Sequence, residues 1–228
     1  MNQLVTEAIV LGRTDYGEAD RILTLLTPHY GKLSLMAKGV RRIKSKLAGG
    51  IELFSVSTIT FVQGRGSVGT LVSSRLVTYY GNIVSNLDRT MLGYELIKQL
   101  NKITEDEPEE AYFDLLHHTF KVLNEVHIPL PLIRFWFNVQ IIRLGGHSPN
   151  LHTDDEGHPL DASKTYNFNL EHMAFTAAAG TGRYHANHIK FLRLAFDGHP
   201  PERLMAIAGS EQLAESCAAI TTDMLRNF

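Results

Sequence analysis

The hydrophobic pattern of this 228-residue chain changes near residue 80, and this change constrains the fold more than any single motif does. Before residue 80, apolar and β-branched residues form five short runs that are separated by glycine-containing turns. The runs cover residues 3–11, 21–27, 31–37, 51–62 and 68–79. Short strands separated in this way predict a small barrel or sandwich. Their number and order fit a five-stranded OB-type β-barrel.

Beyond about residue 85 the apolar residues recur at helical spacing, as in Leu92, Leu96 and Leu100. Two further helices are indicated by the apolar stripes around Leu116 and Trp136, whose aromatic residues we assign to a core rather than to base stacking. Two more helices are expected near residues 183–197 and 202–226. Between these groups, residues 146–182 are polar and contain several prolines and glycines, which predicts an irregular inserted loop region.

These patterns predict an α+β chain with two domains. Residues 1–80 would form an OB-fold nucleic-acid-binding domain, and residues 81–228 an α-helical domain that includes the irregular segment 146–182. The charge is divided in a similar way: residues 1–80 carry ten basic and five acidic side chains, whereas residues 81–228 carry 12 and 19. A basic part that is joined to an acidic part suggests that the first part contacts a polyanion.

The strongest concentration of positive charge is the segment Lys38–Lys46, which we call the basic loop. Its five basic residues fall within nine positions, without any acidic residue. They are Lys38, Arg41, Arg42, Lys44 and Lys46. Lysine and arginine side chains that contact phosphates release condensed counterions, so such a loop suits nucleic acid. The alternative is a solvated loop that only maintains solubility.

Three further cations are candidates for contacts to a nucleic-acid backbone. Lys32 lies on the strand before the basic loop, and Arg65 and Arg75 belong to the last predicted hairpin. OB-type barrels also stack bases on exposed aromatic rings. Tyr16, Tyr30 and either Tyr79 or Tyr80 are the candidates for that role, and the sequence does not distinguish among them.

Three other motifs have simpler interpretations than a functional site. The segment Gly64–Gly69 matches G-x-G-x-x-G, but strands are predicted on both sides of it, which favours a hairpin turn over a dinucleotide site. Carboxylates at Asp15, Glu18 and Asp20 are the type used in metal-assisted phosphodiester chemistry, but a turn with solvated or salt-bridging acids explains them as well. Cys217 lies among apolar residues and is assigned to a core.

One polar cluster has the residue types of a metal site. It contains His147, His152, Asp154, Asp155, Glu156 and His158. Imidazole and carboxylate groups can bind zinc or another divalent ion, but these spacings match no structural zinc pattern. An exposed polar loop is the alternative, and no metal or other cofactor is predicted.

The first fifty residues resemble the bacterial RecO family of recombination mediators. The resemblance rests on a series of motifs in a fixed order. They are Ile9-Val10-Leu11, Tyr16 to Ile22, Leu26-Thr27, Gly31-Lys32, Ala37 to Arg42, and Lys44-Ser45. Beyond residue 80 the similarity is looser and includes Leu144-Gly145-Gly146 followed by Pro149.

The resemblance implies an N-terminal OB-fold that binds single- and double-stranded DNA. It implies annealing of complementary strands, and help in loading RecA, an indirect partner, onto strands coated by single-strand-binding protein, usually with RecR. It also implies a hydrophobic groove, flanked by basic residues, for the acidic, aromatic-ended C-terminal tail of single-strand-binding protein. None of this requires covalent chemistry, so no enzyme activity is expected.

Many family members carry a four-cysteine zinc motif, from which this chain departs. Thr153 and Glu156 occupy the positions of the first cysteine pair, and no cysteine lies near residues 172–182. No zinc ligand is therefore assigned. With one cysteine, no visible secretory signal and no long apolar run, the expected location is the cytoplasm, without a membrane partner. The DNA-binding role that the resemblance implies adds association with the nucleoid.

Two alternative functions remain open from the sequence. One is an RNA-binding OB-fold protein that acts in translation or RNA processing. The other is a metal-dependent enzyme that uses the histidine- and aspartate-rich cluster at residues 147–158.

Overall fold

A computed structural model describes residues 2–64, 66–104 and 109–227. Its contacts divide the chain into two compact units, residues 1–125 and 126–228. The first unit contains a β-barrel and three helices. Residue 80, the predicted boundary between the two domains, lies at the end of the barrel, within the first of these units.

Five strands form the barrel. They are β1 (Leu4–Tyr16), β2 (Asp20–Thr27), β3 (Gly31–Ala37), β4 (Ser55–Val62) and β5 (Val68–Tyr79). They close in the order β1-β2-β3-β5-β4, in which β1 pairs with β4 and β3 runs parallel to β5. This closed, five-stranded arrangement confirms the predicted OB-type barrel.

The barrel core is built from the alternating inward side chains of the strands. Leu23, Leu25 and Leu35 are each at most 1% exposed, and Phe61 packs among them. Because each strand buries only one of its faces, apolar residues alternate with other residues along it, and this alternation is visible in the sequence. Two residues outside the strands, Val40 and Ile51, complete the same core.

Three helices complete the first unit: α1 (Gly81–Val84), α2 (Leu87–Ile103) and α3 (Glu110–Asn124). Phe54, just before β4, is 2% exposed and joins them to the barrel. Its ring makes edge contacts with Tyr94 of α2 and Phe120 of α3, at centroid distances of 5.4 and 5.5 Å. The residue has a φ of 56°, an unusual conformation for a side chain of this size, and it is held by packing on several sides.

The second unit is built around α4 (Leu130–Leu144), which is buried on nearly all sides. Phe135 of this helix stacks on Phe191 at 5.2 Å, and Trp136 is 5% exposed, which confirms that these aromatics belong to the core. Around α4 lie α5 (Ala186–Phe196), α6 (Pro201–Met205) and α7 (Ser210–Arg226). Among the described residues, no helix combines the length and the apolar character needed to cross a membrane.

The predicted helix over residues 202–226 is wrong in one respect, because two helices occupy this segment. The chain leaves helical geometry after Met205 and re-enters it at Ser210. Gly209 has a φ of 72°, a left-handed conformation that interrupts the helix at this position.

The prediction that residues 146–182 have little regular structure is also wrong. They contain β6 (Asn150–Asp154), β7 (Tyr166–Asn169) and β8 (Ala174–Ala177), which form a sheet in the order β6-β8-β7. The sheet has its own aromatic core, in which the fully buried Phe175 contacts Phe168 at 5.4 Å. Strands of four or five residues are too short to show alternation in the sequence, so the pattern had no signal for them.

Candidate nucleic-acid interface

The first half of the basic loop is fixed to the turn between β1 and β2. Gly39, with a φ of 64°, donates its backbone N–H to Asp20 Oδ1 at 2.6 Å. The backbone N–H of Arg41 donates to the carbonyl of Ala19 at 2.9 Å. Val40, between them, is buried in the barrel core. Because the backbone is held at these points, the loop presents its cations from a defined position.

The second half of the loop contains a tight turn and is attached to β5. The backbone N–H of Ser45 donates to the carbonyl of Arg42 at 3.0 Å, which closes a turn with Ile43 and Lys44 at its centre. Further along, Leu47 packs against the barrel core, and its carbonyl accepts a hydrogen bond from the hydroxyl of Ser74. The turn is therefore anchored on both sides while its centre faces solvent.

All five cations of the basic loop are exposed. Arg41 has a carboxylate partner: its Nε lies 3.6 Å from Asp15 Oδ2. Within the described part of the chain, no ion pair engages Lys38, Arg42, Lys44 or Lys46. The five predicted contact residues thus lie together on one exposed loop, and four of them have no ion-pair partner among the residues that the structure describes.

Two arginines that the sequence interpretation missed lie beside the loop. Arg21 Nε donates to Asp15 Oδ1 at 2.6 Å, and Arg13 lies 3.4 Å from Glu52. The hydrogen bond from Arg21 holds the pKa of Asp15 below its usual value, and the charges of Arg21, Arg41 and Arg13 act in the same direction. We call Arg13, Arg21 and Arg41 the arginine cluster.

The register of the first hairpin explains how this cluster forms. Asp15 pairs directly with Arg21, and Arg13 lies two residues before Asp15 on β1. Residues two apart on a strand share a face, and directly paired residues lie side by side. The sequence spacing of Arg13, Asp15 and Arg21 is consistent with this cluster. It could have been predicted only if the position of the turn between β1 and β2 had been known.

Lys32, by contrast, is occupied within the fold. Its half-buried ammonium donates to the carbonyls of Asn101, at 3.2 Å, and Thr104, at 2.7 Å, at the C-terminal end of α2. A cation at this end of a helix compensates the partial negative charge of the unpaired carbonyls. A DNA contact by Lys32 stays a prediction, and it would have to compete with these bonds.

The remaining two basic candidates belong to the β4–β5 hairpin. Arg75 is exposed on β5 and pairs with Thr58, and its side chain lies on the opposite face of the strand from that of Ser74, which contacts Leu47. Arg65 lies outside the described residues. The antiparallel pairing of β4 with β5 confirms that the glycine-rich motif at residues 64–69 connects a hairpin.

The candidate stacking rings separate clearly by exposure. Tyr16 and Tyr79 are 56% and 47% exposed, whereas Tyr80 is 5% exposed and burial raises its pKa to about 12. Tyr30 packs with its edge against Phe61 in the barrel core, at a centroid distance of 5.4 Å. Of the two exposed rings, Tyr16 belongs to the same site as the arginine cluster, because both of its chain neighbours, Asp15 and Gly17, contact Arg41.

The polar cluster at residues 147–158 includes strand β6, and its last residues, 154–158, form a turn. Asp154 Oδ1 accepts hydrogen bonds from the backbone N–H groups of Glu156 and His158. Asp155 accepts a hydrogen bond from the Thr176 hydroxyl, which lowers the pKa of Asp155 and ties the turn to β8. Within the described ranges, no three histidine, cysteine or carboxylate groups are positioned to hold a metal ion.

The zinc motif of the resembled family also does not fit these residues. At the positions of the first cysteine pair, the Thr153 hydroxyl accepts a hydrogen bond from Asn150, and the Glu156 side chain is exposed. Zinc in structural sites is bound mainly by thiolate and imidazole groups. Cys217 is fully buried in the second unit, and this burial raises the pKa of its thiol to about 12, in keeping with a core residue.

Comparisons with known proteins point to one family. Residues 1–80 match the family model described as Recombination protein O N terminal. The chain is 35% identical to DNA repair protein RecO of Halalkalibacterium halodurans over 146 residues, which cover 64% of this chain and 57% of that protein. It is 33% identical to the protein of the same name from Dehalococcoides mccartyi over 147 residues, with coverage of 64% and 57%.

A longer alignment is found with DNA repair protein RecO of Listeria monocytogenes. It extends over 196 residues at 27% identity and covers 83% of this chain and 76% of that protein. The first two alignments, however, span less than two thirds of the relatives' own length.

Proposed function

This chain belongs to the RecO family, and we propose that it is a DNA-binding mediator of recombination and repair. In this proposal it binds single- and double-stranded DNA and anneals complementary strands. It also helps to load RecA onto strands that are coated by single-strand-binding protein, together with RecR. It acts at the nucleoid in the cytoplasm and performs no covalent chemistry.

The observation that carries this proposal is the basic loop on an OB-type barrel. Four exposed cations without ion-pair partners among the described residues lie beside the arginine cluster and the exposed Tyr16 ring. Contacts that go mainly to phosphates leave base edges free to pair. Neutralising the phosphates of two strands also lowers their mutual repulsion, which is the physical requirement for annealing.

The second unit offers a candidate binding site for the C-terminal tail of single-strand-binding protein. A cavity of about 230 Å³ is lined by apolar residues of β7 and α7, among them Phe168 and Ile220. Arg183 lies at this cavity, and its guanidinium carbon is 5.6 Å from the centre of the Tyr184 ring. An apolar groove with a basic residue suits a short acidic peptide that ends in an aromatic residue. Asp223, which also lines the cavity, would oppose such a peptide.

The test is the annealing rate of complementary DNA strands, bare or precoated with the cognate single-strand-binding protein. We expect this protein to accelerate both reactions at low salt. No acceleration by the folded protein would contradict the mediator function. If RNA strands were then bound more tightly than DNA strands of the same sequence, the RNA-binding alternative would replace it.

The same assay, carried out with a variant of Arg183, tests whether this cavity binds the tail of single-strand-binding protein. Arg183→Ala should still anneal bare strands but should lose most of the acceleration on coated strands, because only the second reaction depends on the tail. Equal acceleration of coated strands by the variant and the wild type would exclude this groove.

A further inference from the structure

Ile43, at the outer turn of the basic loop, is the most exposed large apolar residue of the described chain. It is 104% exposed, as open as in an extended peptide, whereas Leu87, the next of this group, is 75% exposed. Single apolar residues on a surface are ordinary. What distinguishes Ile43 is its complete exposure together with its position on a backbone that is fixed on both sides.

The geometry of the loop holds Ile43 outward. It occupies a central position of the turn that the Ser45–Arg42 hydrogen bond closes, a position where polar residues, glycine and proline are favoured. The buried Val40 precedes this turn, and Leu47, which follows it, packs on the core. The side chain therefore does not collapse onto the barrel, and its apolar surface stays available to a ligand.

The neighbours of Ile43 determine the chemistry of that ligand. Arg42 and Lys44 flank it directly, and both are exposed without an ion pair in the part of the chain that the structure describes. A ligand at this position must combine dense negative charge with apolar surface. Nucleic acid does so, because its phosphates surround the flat faces of the bases.

We propose that Ile43 is an apolar wedge that inserts between adjacent bases of the DNA strand whose phosphates the basic loop contacts. This inference rests on the proposed function and adds a base contact to it. Aliphatic side chains that enter a base step unstack it partially. A strand opened in this way has its bases separated before it meets its complement.

An anionic membrane surface has similar chemistry but fits this site less well. Binding to a membrane depends on a large buried apolar area in addition to positive charge. The basic loop offers one aliphatic side chain, since the remaining exposed positions of its turn are basic. A wedge between bases requires only one such side chain.

The experiment uses an oligonucleotide that contains 2-aminopurine, whose fluorescence rises when it is unstacked. Wild-type protein should raise this fluorescence by about two- to threefold at saturation. Ile43→Ala should lose most of the rise, while Ile43→Leu should retain it. Leu87→Ala, which truncates an exposed aliphatic residue on α2, is the matched control and should behave as wild type.

Binding is measured in parallel by the anisotropy of an end-labelled strand, because the variants must be compared at saturation. If wild type and Ile43→Ala bind DNA and give the same 2-aminopurine signal, the wedge is excluded and the proposed function stands. If the wild type binds no DNA, the proposed function fails, and the wedge fails with it.

A third arm addresses the membrane alternative with vesicles of phosphatidylserine and phosphatidylcholine. We expect no sedimentation of the protein with these vesicles at physiological salt. Sedimentation that Ile43→Ala abolishes, without a 2-aminopurine signal on DNA, would overturn the wedge in favour of a lipid contact.

Discussion

Asp15 is an acidic side chain placed among the cations that we propose to contact phosphates. Arg21 donates a hydrogen bond to it, and Arg41 lies 3.6 Å away. Its carboxylate therefore contacts both guanidinium groups, which in the proposed interface would also be phosphate ligands. A bound strand must compete with Asp15 for Arg41.

Removing this charge should strengthen DNA binding. We expect Asp15→Asn to bind single-stranded DNA about two- to fivefold more tightly at low salt, because Arg21 and Arg41 then become available and one repulsive charge is lost. Anisotropy titrations would measure the change. Glu18→Gln removes an exposed charge from the same turn without freeing an arginine, so an equal gain in that variant would contradict the specific role of Asp15.

His117 on α3 should make the stability of the first unit depend on pH. Burial beside Tyr80 and Phe113 lowers the pKa of His117 below its ordinary value of 6.5, and the nearby Lys121 and His118 act in the same direction, against Glu7 and Asp114. Below that value the unfolded chain binds more protons than the folded chain. Stability is therefore complete above pH 6.5 and declines as the pH falls towards the folded pKa.

The check is thermal unfolding at pH values from about 8 to about 5, where histidine titrates. His117→Gln should lose less stability on acidification than the wild type does. Part of the loss will remain, because burial also lowers the pKa of His188 in the second unit. His29→Gln, at an exposed position, should follow the wild-type curve, and a His117→Gln curve that did the same would refute the assignment.

Among the elements of the first unit, Phe54 joins α2 and α3, because its ring contacts Tyr94 of one helix and Phe120 of the other. Gly93 lies against the Phe54 ring, so closely that a Cβ added to this glycine would be 2.4 Å from Phe54 Cε1. Phe54 is itself held at a positive φ, and its ring packs against both Tyr94 and Phe120. The site requires glycine for reasons of space.

Gly93→Ala should therefore destabilise the protein, by about 1–3 kcal/mol as is typical of overpacked cores. Denaturant unfolding would measure the change. Gly81→Ala on α1 is the control, because its added Cβ would meet Tyr79 only at 3.5 Å, an ordinary contact distance. Unfolding curves that coincide for Gly93→Ala and wild type would show that the Phe54 ring can move to accommodate the added Cβ, and would contradict this prediction.

The same elements show what could be read from the sequence. The barrel strands were predictable because each buries one face, and the long helices because they show apolar stripes. The sheet of β6, β7 and β8 was not predictable, because its strand order depends on pairing between short segments. Of the candidate interface, the basic loop was visible as a local run of charge. The involvement of Lys32 with Asn101 and Thr104, about seventy residues away, was invisible to any local pattern.

The charge of the whole chain divides at the end of the barrel and not at the boundary between the two compact units. Residues 1–80 carry ten basic and five acidic side chains, but residues 1–125, the first compact unit, carry 14 of each. The second unit, with eight basic and ten acidic residues, is only weakly acidic. The positive charge is thus a property of the barrel, and it is balanced by residues 81–125 of the same unit, which carry four basic and nine acidic side chains.

The salt dependence of single-strand binding reports on whether the basic loop of the barrel contacts DNA phosphates, as we propose. For Arg42→Ala combined with Lys44→Ala, the slope of log K against log salt should become shallower by about 1.4, from roughly 0.7 for each lost contact to a single strand. Lys98→Ala combined with Lys102→Ala removes two exposed lysines of α2 and should leave the slope unchanged. A wild-type slope in the loop variant would contradict the claim.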